Sequence, residues 1–245
     1  MAQRGIQSAS AQARHRQIQA LLKERSAVTV AELARELGVS QNTIRNDLDA
    51  LAEQGLVVRG HGGATIPRVV LPPQLWPEAG AVRPGAEHIV EYAASRVEDG
   101  DSLILGDDPL CVLLAERISR HHDLRIITTS LAVAYVLVQE PSNRVVLAGG
   151  ELSRRRLATL GNLAGDAVRD FRARKAFFSC TGVSVQSGLT EADTESAQLK
   201  RAMKEAADLV FVLVESGRVG RIDLFPVAPL GEVRRIVTDA GLAPE

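Results

Sequence analysis

From Ser40 to Asn46 the chain runs Ser-Gln-Asn-Thr-Ile-Arg-Asn. Gln41, Asn42, Arg45 and Asn46 carry the amide and guanidinium groups that hydrogen-bond base edges and phosphates. On a 3.6-residue period they share one side of a helix, while Ile44, Leu48 and Leu51, at i, i+4 and i+7, share the other. Ser40 is placed to cap that helix, and Val39 with Ile44 has the spacing of a hydrophobic staple. An apolar back, a polar front and a tight glycine turn ahead of it suit insertion into a major groove. Spacing alone leaves an ordinary solvated face open. Beyond the β-rich run Leu56-Val57-Val58 comes Arg59-Gly60-His61-Gly62-Gly63-Ala64. This is the pattern of a wing, a strand pair with a glycine-rich tip, where Arg59 and His61 would meet phosphate or the minor groove. For His61 a turn residue without contact stays open.

These side chains need elements to aim them. Ile18, Leu21 and Leu22 predict a first amphipathic helix. A second starts at Thr29, which makes a capping box with Glu32; Leu33 and Leu37 form its inner stripe and Gly38 closes it. Residues 66–85 hold five prolines without sustained period and predict an extended linker, with Trp76 anchoring it on one domain. The predicted domains are therefore 11–66, a linker over 67–85, and 86–240. In the last, β-rich runs at Ser102–Leu105, Arg125–Thr128, Arg144–Ala148, Lys175–Ser179, Leu209–Val214 and Arg234–Thr238 alternate with helical segments. That alternation predicts an α/β fold with a mostly parallel sheet covered by helices. Ligands of such sheets bind beyond the carboxyl ends of the strands.

Composition excludes several classes. The chain has 245 residues, 45% of them hydrophobic and 24% charged, ordinary for a soluble globular protein. No apolar run approaches the roughly 18 residues of a membrane span, and the polar start lacks the apolar core of a secretion signal. Cys111 and Cys180 have no metal-ligand spacing and are too few for a disulfide framework. A cytoplasmic location with two free, buried thiols is expected, with no cofactor, metal or membrane. Net charge is −1, but residues 1–68 hold nine basic against six acidic residues, leaving 20 against 24 in the remainder. The basic end can face a polyanion while the acidic end stays off it.

The stretch from Val28 to Ala64 resembles the DNA-binding domain of the DeoR-type regulators. The likeness rests on Glu32-Leu33-Ala34, Val39-Ser40, Thr43-Ile44-Arg45, Asp47-Leu48, Leu51, Gly55 and Arg59-x-His61-Gly62-Gly63-Ala64. One departure is Arg45-Asn46, where family members often carry two arginines. The resemblance continues to about residue 238. There it implies a domain similar to ribose-5-phosphate isomerase, binding a phosphorylated sugar that releases a repressor from DNA. It also implies a duplex operator as partner; a homo-oligomer is expected because one short helix reads too few bases for specificity. The DNA-contacting set is then Ser40, Gln41, Asn42, Thr43, Arg45, Asn46, Arg59 and His61. The effector set is Asp107, Asp108, Thr128, Ser130, Gly149, Gly150, Gly182, Lys200 and Arg218.

The loop after the first predicted strand departs most. Where the family has an aspartate followed by Ser-Gly and threonines, this chain has Gly106-Asp107-Asp108-Pro109-Leu110-Cys111. Asp108-Pro109 makes a good N-cap and first helical residue, and a capping carboxylate repels phosphate by roughly 4 kcal/mol per charge pair at 4 Å. Three readings stay open. The domain serves assembly alone, it binds a neutral or cationic sugar-like ligand through Asp107 or Asp108, or it binds phosphate through Arg218, Lys200 or the Arg154-Arg155-Arg156 run. For that run, a solvated loop is the plainer expectation. A regulator of a carbohydrate operon is the reading adopted, against an effector-independent DNA binder or an isomerase-like enzyme. Catalysis is not expected, because the phosphate cradle is missing. Metal binding by Asp107, Asp108, His121 and His122 is weaker still; the histidines are expected at a helix end.

Overall fold

The computed structural model describes residues 2–25, 27–53, 56–60, 62–65 and 85–242. The chain divides into two compact units, Met1–Val70 and Leu71–Glu245. The predicted linker, with Trp76, lies outside the described residues except for Gly85, which stands at the start of a helix.

The first unit runs α1 (Ala2–Arg25), β1 (Ala27–Thr29), α2 (Val30–Leu37), α3 (Gln41–Glu53), β2 (Val58–Gly60) and β3 (Gly63–Thr65). Local chemistry sets the helix ends. Thr29 Oγ1 accepts the Glu32 N–H at 3.2 Å while Glu32 Oε2 accepts the Thr29 N–H at 2.8 Å, closing the capping box. Gly38 ends α2 at φ 65°, a left-handed conformation that glycine adopts without steric cost. Ile18, Leu22, Leu33, Ile44, Leu48 and Leu51 fill one small core. Two details differ from expectation. The strand begins at Val58 rather than Leu56, because Val57 turns into the core while Leu56 stays exposed. Ala27–Thr29, unforeseen, adds a strand, so the wing is a three-stranded antiparallel sheet in the order β1-β3-β2.

The second unit contains α4 (Ala86–Ala94), β4 (Ser102–Leu105), α5 (Pro109–Ile118), β5 (Arg125–Thr128), α6 (Leu131–Leu137), β6 (Arg144–Leu147), β7 (Glu151–Ser153), β8 (Ala158–Leu160) and α7 (Gly161–Arg169). It continues with β9 (Ala173–Phe178), β10 (Gly182–Ser184), β11 (Gly188–Glu191), α8 (Thr194–Glu205), β12 (Ala207–Leu213), β13 (Phe225–Ala228) and β14 (Arg235–Val237). Six strands form one parallel sheet in the order β14-β12-β9-β4-β5-β6. These are the six β-rich runs of the sequence, with ends moved by at most two residues. The antiparallel pair β7-β8 and the sheet β10-β11-β13 were not foreseen. Their strands are three or four residues long, too short to show a period of two.

Alternate residues of the sheet face opposite ways. Ile104, Ala176, Phe178 and Val212 pack with α7 and α8, whereas Phe177 stacks on Phe211 at 4.9 Å from the other side. Right-handed crossovers require this two-sided cover. From β4 the chain proceeds outward through β5 to β6, then returns to β9 on the opposite flank of β4. The order therefore reverses between β4 and β9, where open α/β sheets leave a crevice at the strands' carboxyl ends.

Candidate functional site

Helix α3 is capped at Ser40, whose Oγ accepts the Thr43 N–H at 3.1 Å. Val39 packs on the core that buries Ile44, as the staple requires. Ile44, Leu48 and Leu51 point inward at no more than 1% exposure, while Ser40, Gln41, Asn42, Arg45 and Asn46 are exposed and Thr43 half-buried. Asp47 belongs to the inner side. Arg14 grips it through Nε at 2.5 Å and Nη2 at 2.8 Å, and His15 Nε2 lies 3.1 Å away. The hydrogen-bonded carboxylate holds the Arg14 guanidinium above its ordinary pKa. This clasp ties α3 to α1 across 33 residues, and no sequence signal marked Arg14 as the partner. The exposed wing residue Arg59 reaches back to Asp49 of α3, Nε to Oδ1 at 3.1 Å. His61 lies outside the described residues.

In the second unit a cavity of about 300 Å³ opens at the reversal point. Five of the predicted effector residues line it: Asp107 and Asp108 after β4, Ser130 after β5, Lys200 on α8, and Arg218 beyond β12. Four do not. Thr128 is fully buried, its hydroxyl donating to the Leu105 carbonyl at 2.8 Å and accepting the Ser130 N–H at 3.1 Å. Gly149 is exposed away from the cavity. Gly150 and Gly182 serve close packing: a Cβ would lie 2.8 Å from the Leu160 carbonyl in one case and 2.5 Å from Thr190 Oγ1 in the other.

The lining also contains Arg155, Arg156, Ser179, Thr181, Glu191 and Asp193, none in the predicted set. Arg156 corrects the solvated-loop expectation. Its Nε and Nη2 hold the two oxygens of Asp107 at 2.6 and 2.9 Å, and Nη1 donates to Ser196 Oγ. Arg154 and Arg155 are exposed as expected. Burial works against the Arg156 charge, but the Asp107 carboxylate outweighs it and raises the pKa. Lys200, more deeply buried, donates to Glu191. Asp108 caps α5, accepting the Cys111 N–H at 3.3 Å, and its second oxygen accepts the Ser179 N–H at 2.9 Å. Arg218 Nη1 donates to Ser179 Oγ and the Cys180 carbonyl at 3.2 and 3.0 Å. The cavity is thus an organised array of donors and acceptors from several chain segments that the sheet order brings together.

His121 and His122 lie just past α5, among the amino-terminal strand ends, with His121 Nδ1 2.8 Å from Asp99 Oδ1. Among the described residues no three His, Cys, Asp or Glu side chains form a metal-binding group. No described helix is long and apolar enough to cross a membrane. Burial pushes the Cys180 thiol up to about 12 and the Cys111 thiol well above its ordinary value. At about pH 8 neither supplies thiolate. A maleimide is therefore expected to label neither cysteine in the folded protein and both in denaturant; rapid labelling of the native chain would contradict this.

A winged helix-turn-helix in one unit and an α/β sheet with a polar reversal-point cavity in the other are the parts of a ligand-responsive transcriptional regulator. Family models agree. The DeoR-like helix-turn-helix domain matches residues 14–69 and the DeoR C terminal sensor domain residues 85–240. The chain is 30% identical over 227 residues to the glycerol-3-phosphate regulon repressor of Escherichia coli K12, covering 93% of this chain and 90% of that one. It is 31% identical over 231 residues to the lactose phosphotransferase system repressor of Staphylococcus aureus N315, covering 91% and 90%. Among solved structures, ribose 5-phosphate isomerase A of Methanocaldococcus jannaschii aligns at 17% identity and a TM-score of 0.38, over 55% of this chain and 53% of that one. The chain belongs to the DeoR family and is a DNA-binding transcriptional regulator rather than an enzyme.

Proposed function

We propose that the chain is a cytoplasmic repressor of a carbohydrate operon, released from its operator when a sugar or sugar phosphate fills the cavity. Residues 11–66 are the DNA-binding head, 67–85 the connection and 86–240 the sensor. Gln41, Asn42, Arg45 and Asn46 read base edges in the major groove, while Ser40 and Thr43 meet phosphate at the start of α3. Arg59 and His61 contact the flanking backbone or minor groove. The effector contacts come from Asp107, Asp108, Ser130, Lys200 and Arg218, with Thr128, Gly149, Gly150 and Gly182 shaping the loops around them. The head works as one of a pair in a homo-oligomer, because one short helix reads too few bases for specificity.

The observation that carries this reading is the division of α3, with Ile44, Leu48 and Leu51 buried and Gln41, Arg45 and Asn46 exposed. Two relatives, a glycerol-3-phosphate regulon repressor and a lactose phosphotransferase system repressor, support repression in sugar use. The test is a gel-shift titration on DNA upstream of the genes flanking this one. Arg45→Ala is expected to cost about 1–3 kcal/mol of specific binding if the guanidinium holds a base. Unchanged affinity together with an unchanged salt slope would reject that role.

A further inference from the structure

We infer that the sensor cavity takes a neutral polyhydroxyl ligand, an unphosphorylated sugar or sugar alcohol, in preference to a phosphate ester. The inference rests on the effector reading above and narrows it.

An open helix N-terminus is where an α/β fold seats a phosphoryl group. Three helices begin at this cavity, and at each start a side chain of the chain itself already takes one backbone N–H. Asp108 caps α5 and spends its other oxygen on the Ser179 N–H, so it also occupies the donor offered by β9. Ser130 Oγ accepts the Val133 N–H of α6 at 3.2 Å. Asp193 accepts the N–H and the hydroxyl of Ser196 on α8, both at 2.8 Å.

The charges point the same way. Asp107, Asp108, Glu191 and Asp193 face the cavity against Arg156, Lys200 and Arg218, with Arg155 exposed. Arg156 is committed to Asp107 on two hydrogen bonds, and Lys200 donates to Glu191. Four carboxylates against four cations, the exposed Arg155 among them, leave no net positive charge to neutralise a dianion. A phosphoryl group at α5 would lie against Asp108 and meet like charge in a partly desolvated site.

A polyol meets none of these costs. Its hydroxyls both donate and accept. Each carboxylate oxygen retains a lone pair beyond its present bond, and an ammonium has three N–H groups of which Glu191 takes one. The half-buried Thr181 hydroxyl adds another partner, and Pro109, Val112 and Ala132 supply apolar wall for C–H faces.

The test uses the full chain in thermal-shift and calorimetric titrations with matched pairs: ribose and ribose 5-phosphate, glucose and glucose 6-phosphate, glycerol and glycerol 3-phosphate, with inorganic phosphate alongside. Release of operator DNA is read in parallel. At least one neutral member is expected to bind the native chain about tenfold more tightly than its ester or better. Asp108→Ser keeps a cap, since serine serves α5 as well, but removes the charge and frees the Ser179 N–H. It is expected to gain affinity for the esters and for inorganic phosphate by about tenfold or more. Asp108→Asn, which preserves shape and cap, is expected to narrow the preference without reversing it and covers a failure of the serine variant to fold. A native chain that binds esters over their neutral partners and leaves DNA with them overturns the inference while the effector reading stands. If no member of either class binds or releases DNA, the effector reading falls and the inference with it.

Discussion

Replacing Arg156 by methionine is expected to lower the melting temperature of the second unit by about 10 °C, from a loss of about 3–5 kcal/mol. The reason is Asp107. Its side chain is 1% exposed and takes two hydrogen bonds from one guanidinium. Removing the guanidinium leaves a buried carboxylate in a cavity that Asp108 and Asp193 also line, with water unable to solvate it fully. A second replacement separates this cost from lost packing. Asp107→Leu combined with Arg156→Met removes both charges, and most of the stability is expected to return. Calorimetric melts of the native chain, the single variant and the double variant decide the matter. A single variant that melts with the native protein, or a double variant as unstable as the single, would show that the pair does not carry the charge balance of the cavity. Because Arg156 also donates to Ser196 on α8, the single variant should disturb ligand binding even where it folds.

Leu48→Ala acts on the other unit. Leu48 is fully buried between the inner face of α3 and the rest of a small core. Losing its side chain is expected to cost about 2–5 kcal/mol, the transfer energy plus that of the cavity left behind. A unit this small buries a low fraction of its surface and holds little reserve. Specific DNA binding should therefore disappear, although Leu48 lies on the side of α3 opposite the exposed Gln41, Asn42, Arg45 and Asn46. The second unit has its own core and should melt as before. Hydrogen exchange in α2 and α3, read beside a gel shift, separates this from a local contact effect. Native protection with full DNA affinity would refute the prediction.

Features decided within a few residues were legible in the chain. The box between Thr29 and Glu32, the left-handed Gly38, the Ser40 cap and the Asp108-Pro109 helix start all involve groups at most four positions apart. Such bonds form whenever the local backbone does. The inner strands of the parallel sheet announced themselves because both faces are covered, which demands nearly continuous apolar, β-branched runs. Short strands carried no such signal, so β1, β7 and β8 were invisible; each is three residues long.

The amino-acid sequence by itself determined the helix-turn-helix, the exposed polar face of α3 and the α/β class, because these follow from local hydrogen bonds and hydrophobic periodicity. Tertiary structure alone decided which charges meet. Arg156 reaches Asp107 across 49 residues, Asp108 meets the Ser179 N–H across 71, and Arg14 holds Asp47 across 33. Such pairings depend on the order in which strands enter the sheet and on how α1 crosses α3. The same Arg-Arg-Arg run could equally have been solvated throughout, and only the placement of its loop beside β4 made Arg156 part of the cavity's internal charge balance.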